Sequence, residues 1–197
     1  AFLDHYQHDK VFCSIDRFKR YAFGNQLKIL IWNLARFAET LVPLIDPDSD
    51  TSVNKLNARI IEMQSLSVRA YQSMMCKKIG LTSVTNEGTA LADTLLAIME
   101  ESRADYTRTF RQLSQVGVGP IGLNARTEFG ETERFDEWHK RWLEHLHTAG
   151  TVEEAQVVMK SVNPSVIPRN HQVAKAIADA EAGDITTSET LHQALLS

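Results

Sequence analysis

Glycine and proline are scarce in this chain, with 9 and 5 of 197 residues. So few turn-forming residues over this length favour helices over many short strands. The two cysteines, Cys13 and Cys76, are too few for a disulfide framework or a thiolate zinc site. Their small number indicates a reducing compartment, and we expect the protein to be cytoplasmic.

Long apolar runs and an excess of basic charge are also missing. The longest strongly apolar run, 29–35, is interrupted by Asn33 and is far too short to cross a membrane. With 21 Lys and Arg against 25 Asp and Glu, the net charge of −4 predicts neither a nucleic-acid nor a membrane partner. A hydrophobic content of 43% and a charged content of 23% are typical of a globular chain with a sizeable core.

Apolar residues at helical spacing dominate most of the chain, and the clearest case is 26–44. Its apolar positions cover almost the whole circumference, which predicts a helix in the middle of a core. We predict that Pro43 and Pro47 end this helix and that Thr51 or Ser52 caps the next one, which Gly80 stops.

The predicted fold is all-α, with about seven to eight helices in a bundle-like array that follows an extended N-terminal segment. We assign one domain over 1–197. It comprises an extended segment at 1–24, core helices at 25–114, a long loop at 115–132 and C-terminal helices at 133–197. Three later helix starts are predicted from an Asp105 cap and from capping boxes at Thr151/Glu154 and Thr186/Glu189.

Two loop motifs resemble ligand sites but lack essential parts. The glycines of 117–122 match G-x-G-x-x-G, yet they follow a helix rather than a strand, so we interpret them as a connection. The acidic run 46–50 resembles half of a calcium loop. Thr51 and Asn57 stand where the glycine and the bidentate glutamate are needed, so helix capping is the better interpretation.

Paired Glu-x-x-His motifs leave a di-metal bundle open as an alternative. They are Glu144/His147 and Glu189/His192, and each lies beside its helix's apolar face rather than within it, which favours a solvated surface. Among the other histidines, His139 and His145 have no i, i+4 histidine partner. We interpret His139, His145 and His147 as surface or half-buried residues.

Other chemically distinctive side chains have structural interpretations. We predict that Trp138 and Trp142 lie in the core. We predict the same for the apolar stripe of Leu56, Ile60 and Met63. Arg36 is expected to hold a structural ion pair or, as the less favoured alternative, to bind an acidic group. Cys76 is expected to pack, and Cys13 to lie in the extended segment, where a low pKa would make it redox-active. The sequence therefore predicts no catalytic, cofactor-binding or metal-ligating residue within this chain.

Six strings together resemble one family, the SelO/YdiU family, over nearly the whole chain. In chain order they are Ala1-Phe2-Leu3-Asp4-x-Tyr6, Arg20-Tyr21-Ala22-Phe23-x-Asn25-Gln26, Trp32-Asn33-Leu34-Ala35-Arg36-Phe37-Ala38-Glu39, Asp105-Tyr106-Thr107-x-x-Phe110-Arg111, Asn163-Pro164 with Pro168-Arg169-Asn170, and Ala180-Glu181-x-Gly183-Asp184. The third string is the longest and most specific.

The resemblance implies a C-terminal helical portion of a protein-kinase-like fold, within a pseudokinase that transfers AMP from ATP to protein Ser, Thr or Tyr hydroxyls. The ATP ligands and the Mg or Mn ligands of the family would then lie before Ala1, the metal-binding Asp-Tyr-Gly motif only a few residues away. This expectation also accounts for a chain that starts with Ala rather than Met. The implied partners are the upstream kinase-like lobe and the protein substrates, and the chain alone would be inactive.

Two residues depart from the family pattern. Lys19 stands where the family usually has glycine, and Leu27 where it usually has proline. A lost glycine alters the options for a turn, and a lost proline removes a helix-starting residue. A free-standing helical interaction module stays the main alternative function, marked by an exposed apolar patch.

Overall fold

A computed structural model describes residues 3–115, 123–130 and 133–196. Within these ranges the chain forms nine α-helices and a 3-10 helix, Phe23–Asn25, with no strand and a single isolated bridge between His5 and Asp105. The α-helices are α1 Gln26–Ile45, α2 Ser49–Lys78, α3 Asn86–Ser102, α4 Tyr106–Leu113, α5 Leu123–Arg126, α6 Glu133–Ala149, α7 Val152–Val162, α8 Asn170–Glu181 and α9 Thr186–Leu196. The all-α prediction is confirmed. None of the described helices is both long and apolar enough to span a membrane.

The described residues divide into two compact units. Unit 1 contains the residues up to Tyr6 and those from Cys76 onward, and unit 2 is Gln7–Met75. The boundary falls inside the continuous helix α2. The assignment of one domain stays a prediction, and the two units are described separately below.

Unit 1 has a dense core built around α3 and α6. Trp138 and Trp142 lie one turn apart on α6, are buried, and stack with ring centroids 5.4 Å apart. Their indole nitrogens donate to the carbonyl oxygens of Leu91 and Ile79, both at 2.8 Å, so neither buried N–H lacks an acceptor. The prediction that both tryptophans are core is confirmed.

Unit 2 buries much less. Of its residues, all of which the structure describes, five are buried: Ala22, Ile29, Ala38, Ser52 and Met75. On α1, Phe37 is 61% and Leu44 77% exposed, so the prediction that this helix lies in the middle of a core is wrong within this chain. The stripe 56–63 is not core either, because Met63 is 40% exposed and Leu56 and Ile60 are half-buried.

The boundaries between α1 and α2 differ from the prediction for local reasons. Helix α1 continues past Pro43 and ends at Ile45. The next residue, Asp46, has an extended backbone, which suits a residue that precedes a proline. Asp48, not Thr51 or Ser52, caps α2, because its carboxylate accepts the Thr51 N–H at 3.0 Å. The interpretation of the acidic run 46–50 as helix capping is thus confirmed, and the cap lies about one turn before Thr51 and Ser52.

Three of the other helix signals are confirmed and one is wrong. Asp105 accepts the Arg108 N–H at 2.8 Å, and Thr151 with Glu154 forms a full capping box. Gly80, at φ +84°, stops α2 where a Cβ would lie 2.9 Å from Ala155 Cβ. The Thr186/Glu189 box is wrong, because Thr186 already lies within α9 and donates its N–H to Asp184 Oδ1 at 2.9 Å.

The two departures from the family pattern have local explanations. Lys19 adopts φ +56°, the left-handed conformation that glycine favours. Its side chain pairs with Asp9. Leu27 lies in the first turn of α1, where backbone N–H groups have no intrahelical acceptor, so the helix starts there without proline.

The predicted loop 115–132 is described only in part. Residues 123–130 contain the short helix α5, which the sequence did not predict. The glycine-rich motif at 117–122 lies outside the described residues.

Candidate functional site

The first described residues of the chain lie against the corner between α3 and α4 in unit 1. Tyr6 N–H donates to the carbonyl oxygen of Ala104 at 2.9 Å, and Tyr106 N–H donates to that of Asp4 at 2.8 Å. These two bonds flank the isolated antiparallel bridge between His5 and Asp105. Leu3 and Tyr6 are buried, so the segment is part of the unit rather than a loose end.

One arginine joins this segment to the corner. Arg169 Nη1 lies 2.5 Å from Asp4 Oδ1 and 2.7 Å from Asp105 Oδ2. A guanidinium Nη carries two hydrogens, so one nitrogen can donate to both carboxylates. We call Asp4, Tyr6, Asp105, Tyr106 and Arg169 the Arg169 cluster.

Local backbone structure fixes the two ends of this contact. Arg103, the C-cap residue that follows α3, has φ +55°, and the turn there brings Asp105 to the N-cap position of α4. Arg169 follows Pro168 and occupies the N-cap position of α8, where its carbonyl oxygen accepts the N–H of Val173 at 3.0 Å. Both side chains therefore project from backbone that helix starts hold in place.

The charges of the cluster are partly shielded from water. The side chain of Asp105 is 12% exposed, that of Arg169 24% and that of Asp4 51%. The hydrogen bond that Arg169 donates to the Asp105 carboxylate holds the pKa of Arg169 above its ordinary value, so the guanidinium stays charged. Asp105 uses both oxygens, one for the α4 cap and one for Arg169.

An aromatic layer continues from the cluster into the core. Tyr6 and Tyr106 stack with centroids 5.7 Å apart, and Tyr106 meets Phe110 edge-on at 5.0 Å. The ammonium of Lys78 lies 5.4 Å from the Tyr106 ring centroid and 4.6 Å from that of Phe110. These distances are typical of cation–π contacts.

Lys78 is a buried cation whose polar partner is an amide. Its Nζ donates to Asn163 Oδ1 at 2.9 Å, and Asn163 Nδ2 donates back to the Lys78 carbonyl oxygen at 2.9 Å. In the described part of the chain no carboxylate pairs with this ammonium, and burial lowers its pKa to about 8. Arg111 adds a bond from Nη1 to the Asn163 carbonyl oxygen at 3.3 Å, which ties α4 to the end of α7.

This arrangement is suited to holding backbone in place rather than to bond-making chemistry. Both Asp105 oxygens already accept hydrogen bonds, as does one oxygen of Asp4. Across residues 3–115, 123–130 and 133–196, no group of three or more His, Cys, Asp or Glu side chains could hold a metal ion.

The two Glu-x-x-His pairs do not support the di-metal alternative. Glu144, His147, Glu189 and His192 are all exposed, on α6 and α9, and none joins a metal-binding group among the described residues. The interpretation as solvated surface is confirmed.

Two further histidines of α6 are half-buried, as predicted. His139 packs against Phe135 and Trp142, and burial lowers its pKa despite the nearby Asp136. His145 Nδ1 lies 3.5 Å from Glu87 Oε2.

Other predicted side chains are located as follows. Arg36 pairs with Glu39 at 2.6 Å, which confirms the ion pair, but its side chain is 52% exposed rather than buried. Cys76 is buried, and burial raises the pKa of its thiol, in keeping with packing. Cys13 is exposed.

Sequence reasoning identified Asp105 as a cap but missed the cluster. Its members Asp4 and Arg169 are 165 positions apart, so no spacing rule connects them. The available signal was that Asp4, Asp105 and Arg169 belong to three different family strings. The structure brings those strings together at one place.

A sequence model of the family described as protein adenylyltransferase SelO matches residues 1–196. The chain belongs to the SelO family. Curated relatives agree with this assignment. The protein nucleotidyltransferase YdiU of Nitrobacter hamburgensis is 43% identical over 93% of this chain and 37% of its own length.

Two further relatives show a similar coverage. Those of Nitrobacter winogradskyi and Clostridium botulinum, both named protein nucleotidyltransferase YdiU, are 43% and 40% identical over 99% of this chain and 39% of their own lengths. The chain thus spans about two fifths of the length of the curated relatives it matches.

Proposed function

We propose that this chain is the helical C-terminal portion of a protein adenylyltransferase with a protein-kinase-like fold. The reaction joins a Ser, Thr or Tyr hydroxyl oxygen of a protein to the α-phosphorus of ATP, and pyrophosphate leaves. The observation that carries the proposal is the SelO-family match over residues 1–196. The family's description as an adenylyltransferase and the relatives' name, nucleotidyltransferase, suggest the reaction class.

The proposal gives the chemistry to a region outside this chain. The relatives are about two and a half times as long, which leaves room for a lobe that binds ATP with Mg or Mn. Phosphoryl-type transfer depends mainly on positioning and on charge neutralisation by such ligands. The described residues contain no group that could hold the metal, so we expect this chain alone to be inactive.

An apolar stripe on α1 supports the expected partner, the upstream lobe. Leu30, Phe37 and Leu44 repeat every seven residues, which places them on one face of the helix, and they are 43%, 61% and 77% exposed. Large apolar side chains that share an exposed face mark an interaction surface. We propose that the remaining part of the family's chain covers this stripe, in a cytoplasmic protein.

A helical interaction module is the second candidate function, and the same stripe favours it. In that case a separate protein, or a second copy of the chain, would cover Leu30, Phe37 and Leu44. The two candidates differ in whether AMP transfer appears when the preceding region is present.

The deciding experiment is a paired labelling assay. This chain and a longer form that carries the preceding family region are each incubated with ATP and Mg²⁺ or Mn²⁺. Intact-mass spectrometry then reports AMP on the protein itself or on a test substrate. We expect AMP addition only with the longer form. No addition by either form contradicts the transferase proposal, and addition by this chain alone contradicts the assignment of the chemistry to the upstream region.

A further inference from the structure

We propose that Arg169 is a positioning residue that holds Leu3–Tyr6 on the α3–α4 corner. Through this segment it fixes the direction from which the chain enters unit 1. The second part rests on the proposed function, because that proposal assigns the ATP- and metal-binding chemistry to the region upstream of this chain. The first part stands on the geometry of the described residues alone.

The geometry of the contact makes Arg169 the polar half of the anchor. Two main-chain hydrogen bonds and the buried side chains of Leu3 and Tyr6 hold the segment from the corner side. Arg169 approaches from the start of α8 and binds one carboxylate on each side of the junction, Asp4 and Asp105. Without the guanidinium the two carboxylates would face each other as like charges.

The backbone around the contact leaves little freedom to compensate for a loss. Asp105 is fixed by its cap to Arg108, and Arg169 by Pro168 and the first turn of α8. Asp4 is held through its own carbonyl oxygen by Tyr106 N–H. A change at Arg169 is therefore expected to loosen residues 3–6 rather than to shift the helices.

Hydrogen exchange of single amides tests the anchor in this chain, without reference to activity. The probes are the amides of Tyr6 and Tyr106, and α6 provides internal reference amides. In Arg169→Ala we expect the probe amides to exchange about tenfold faster, as loss of a charged hydrogen bond predicts. Arg169→Lys should restore part of the protection. Asp105→Asn, which keeps the capping oxygen, should resemble Arg169→Ala.

Arg59→Ala is the control, because Arg59 is likewise an ion-paired arginine, here with the single carboxylate of Glu62, but lies on α2 in unit 2. It should leave both probe amides unchanged. Unchanged exchange at Tyr6 and Tyr106 in Arg169→Ala, or an equal increase in Arg59→Ala, overturns the anchor.

Kinetics of the longer form test the positioning role. We expect Arg169→Ala to lower kcat for AMP transfer about tenfold and to leave KM for ATP within about twofold, with partial recovery in Arg169→Lys. Faster exchange with an unchanged kcat overturns the positioning role and leaves a structural anchor. A wild-type longer form that transfers no AMP contradicts the proposed function instead, and the exchange result still decides the anchor.

Discussion

Unit 1 and unit 2 differ in what their helices are packed against. In unit 1 the apolar face of α6 meets α3, and both indole N–H groups of Trp138 and Trp142 find carbonyl acceptors. In unit 2, α1 is apolar on nearly all sides, yet only Ile29 and Ala38 are buried on it. An apolar circumference therefore predicts that a helix needs packing partners around it. It does not predict that the same chain contains those partners.

The largest expected contrast is in the effect of losing one aromatic side chain. Trp142→Ala removes a fully buried ring and leaves the Ile79 carbonyl oxygen without its donor, so we expect a loss of about 3–5 kcal/mol in the free energy of unfolding. Phe37→Ala, in exposed surroundings, should change it by less than about 0.5 kcal/mol. Urea unfolding followed by circular dichroism measures both. Comparable losses would contradict the contrast between the units.

The buried Lys78 of unit 1 should make the free energy of unfolding depend on pH. Burial lowers its pKa from 10.5 to about 8, so between these values the folded state binds fewer protons than the unfolded state. The free energy of unfolding should therefore rise with pH across this window, by up to about 3 kcal/mol in total, and the cost of the buried charge is fully present below pH 8.

Lys78→Met should lack this rise, whereas Lys77→Met, at the exposed neighbouring position, should keep it. Other groups titrate in the same range. The difference between the two variants, measured by urea unfolding at several pH values, therefore carries the result. Equal pH profiles for the two variants would show that Lys78 stays charged in the folded state.

The exposed stripe on α1 predicts an effect that depends on chain length. Phe37→Ser with Leu44→Ser should change the unfolding free energy of this chain by less than about 1 kcal/mol. In the longer form the same change should cost about 2 kcal/mol or more, because there the side chains become buried. Val157→Ser, at a 70% exposed position of unit 1, is the control and should have a small effect in both forms. A small effect of the double variant in the longer form would contradict burial of the stripe.

The smallest expected effect concerns Lys19. Because Lys19 has φ +56°, Lys19→Gly should relieve left-handed strain and stabilise the protein by up to about 1 kcal/mol. Lys19→Ala, which keeps the Cβ and loses the contact with Asp9, separates the backbone effect from the ion pair. Thermal unfolding of the wild type and the two variants measures their order of stability. A glycine variant no more stable than the alanine variant would argue against the strain.

Helix identity was predictable because it depends on local signals. The Asp105 cap and the Thr151/Glu154 box mark real helix starts, since each needs only residues within one turn. The end of α1 was predicted too early, because a proline in the last turn of a helix does not end the helix at once. The Asp48 cap was overlooked because Thr51 and Ser52, one turn later, are equally good capping residues.

The candidate site was not predictable by the same means. The Arg169 cluster depends on contacts across 165 positions, and Lys78 meets Asn163 across 85. Burial was misjudged in α1 for a related reason, because periodicity specifies a face but not its partner. The resemblance strings contain Asp4, Asp105, Asn163 and Arg169 but not Lys78, and they did not indicate that these residues meet.

Side-chain footprinting tests the central claim, that the rest of the family's chain covers the α1 stripe, most directly. Hydroxyl-radical oxidation of Phe37 and Leu44 is compared by mass spectrometry between this chain and the longer form, with Val157 as the exposed reference in unit 1. The account predicts that oxidation of Phe37 and Leu44 falls several-fold in the longer form while that of Val157 stays the same. Equal oxidation of the stripe in both forms would contradict it.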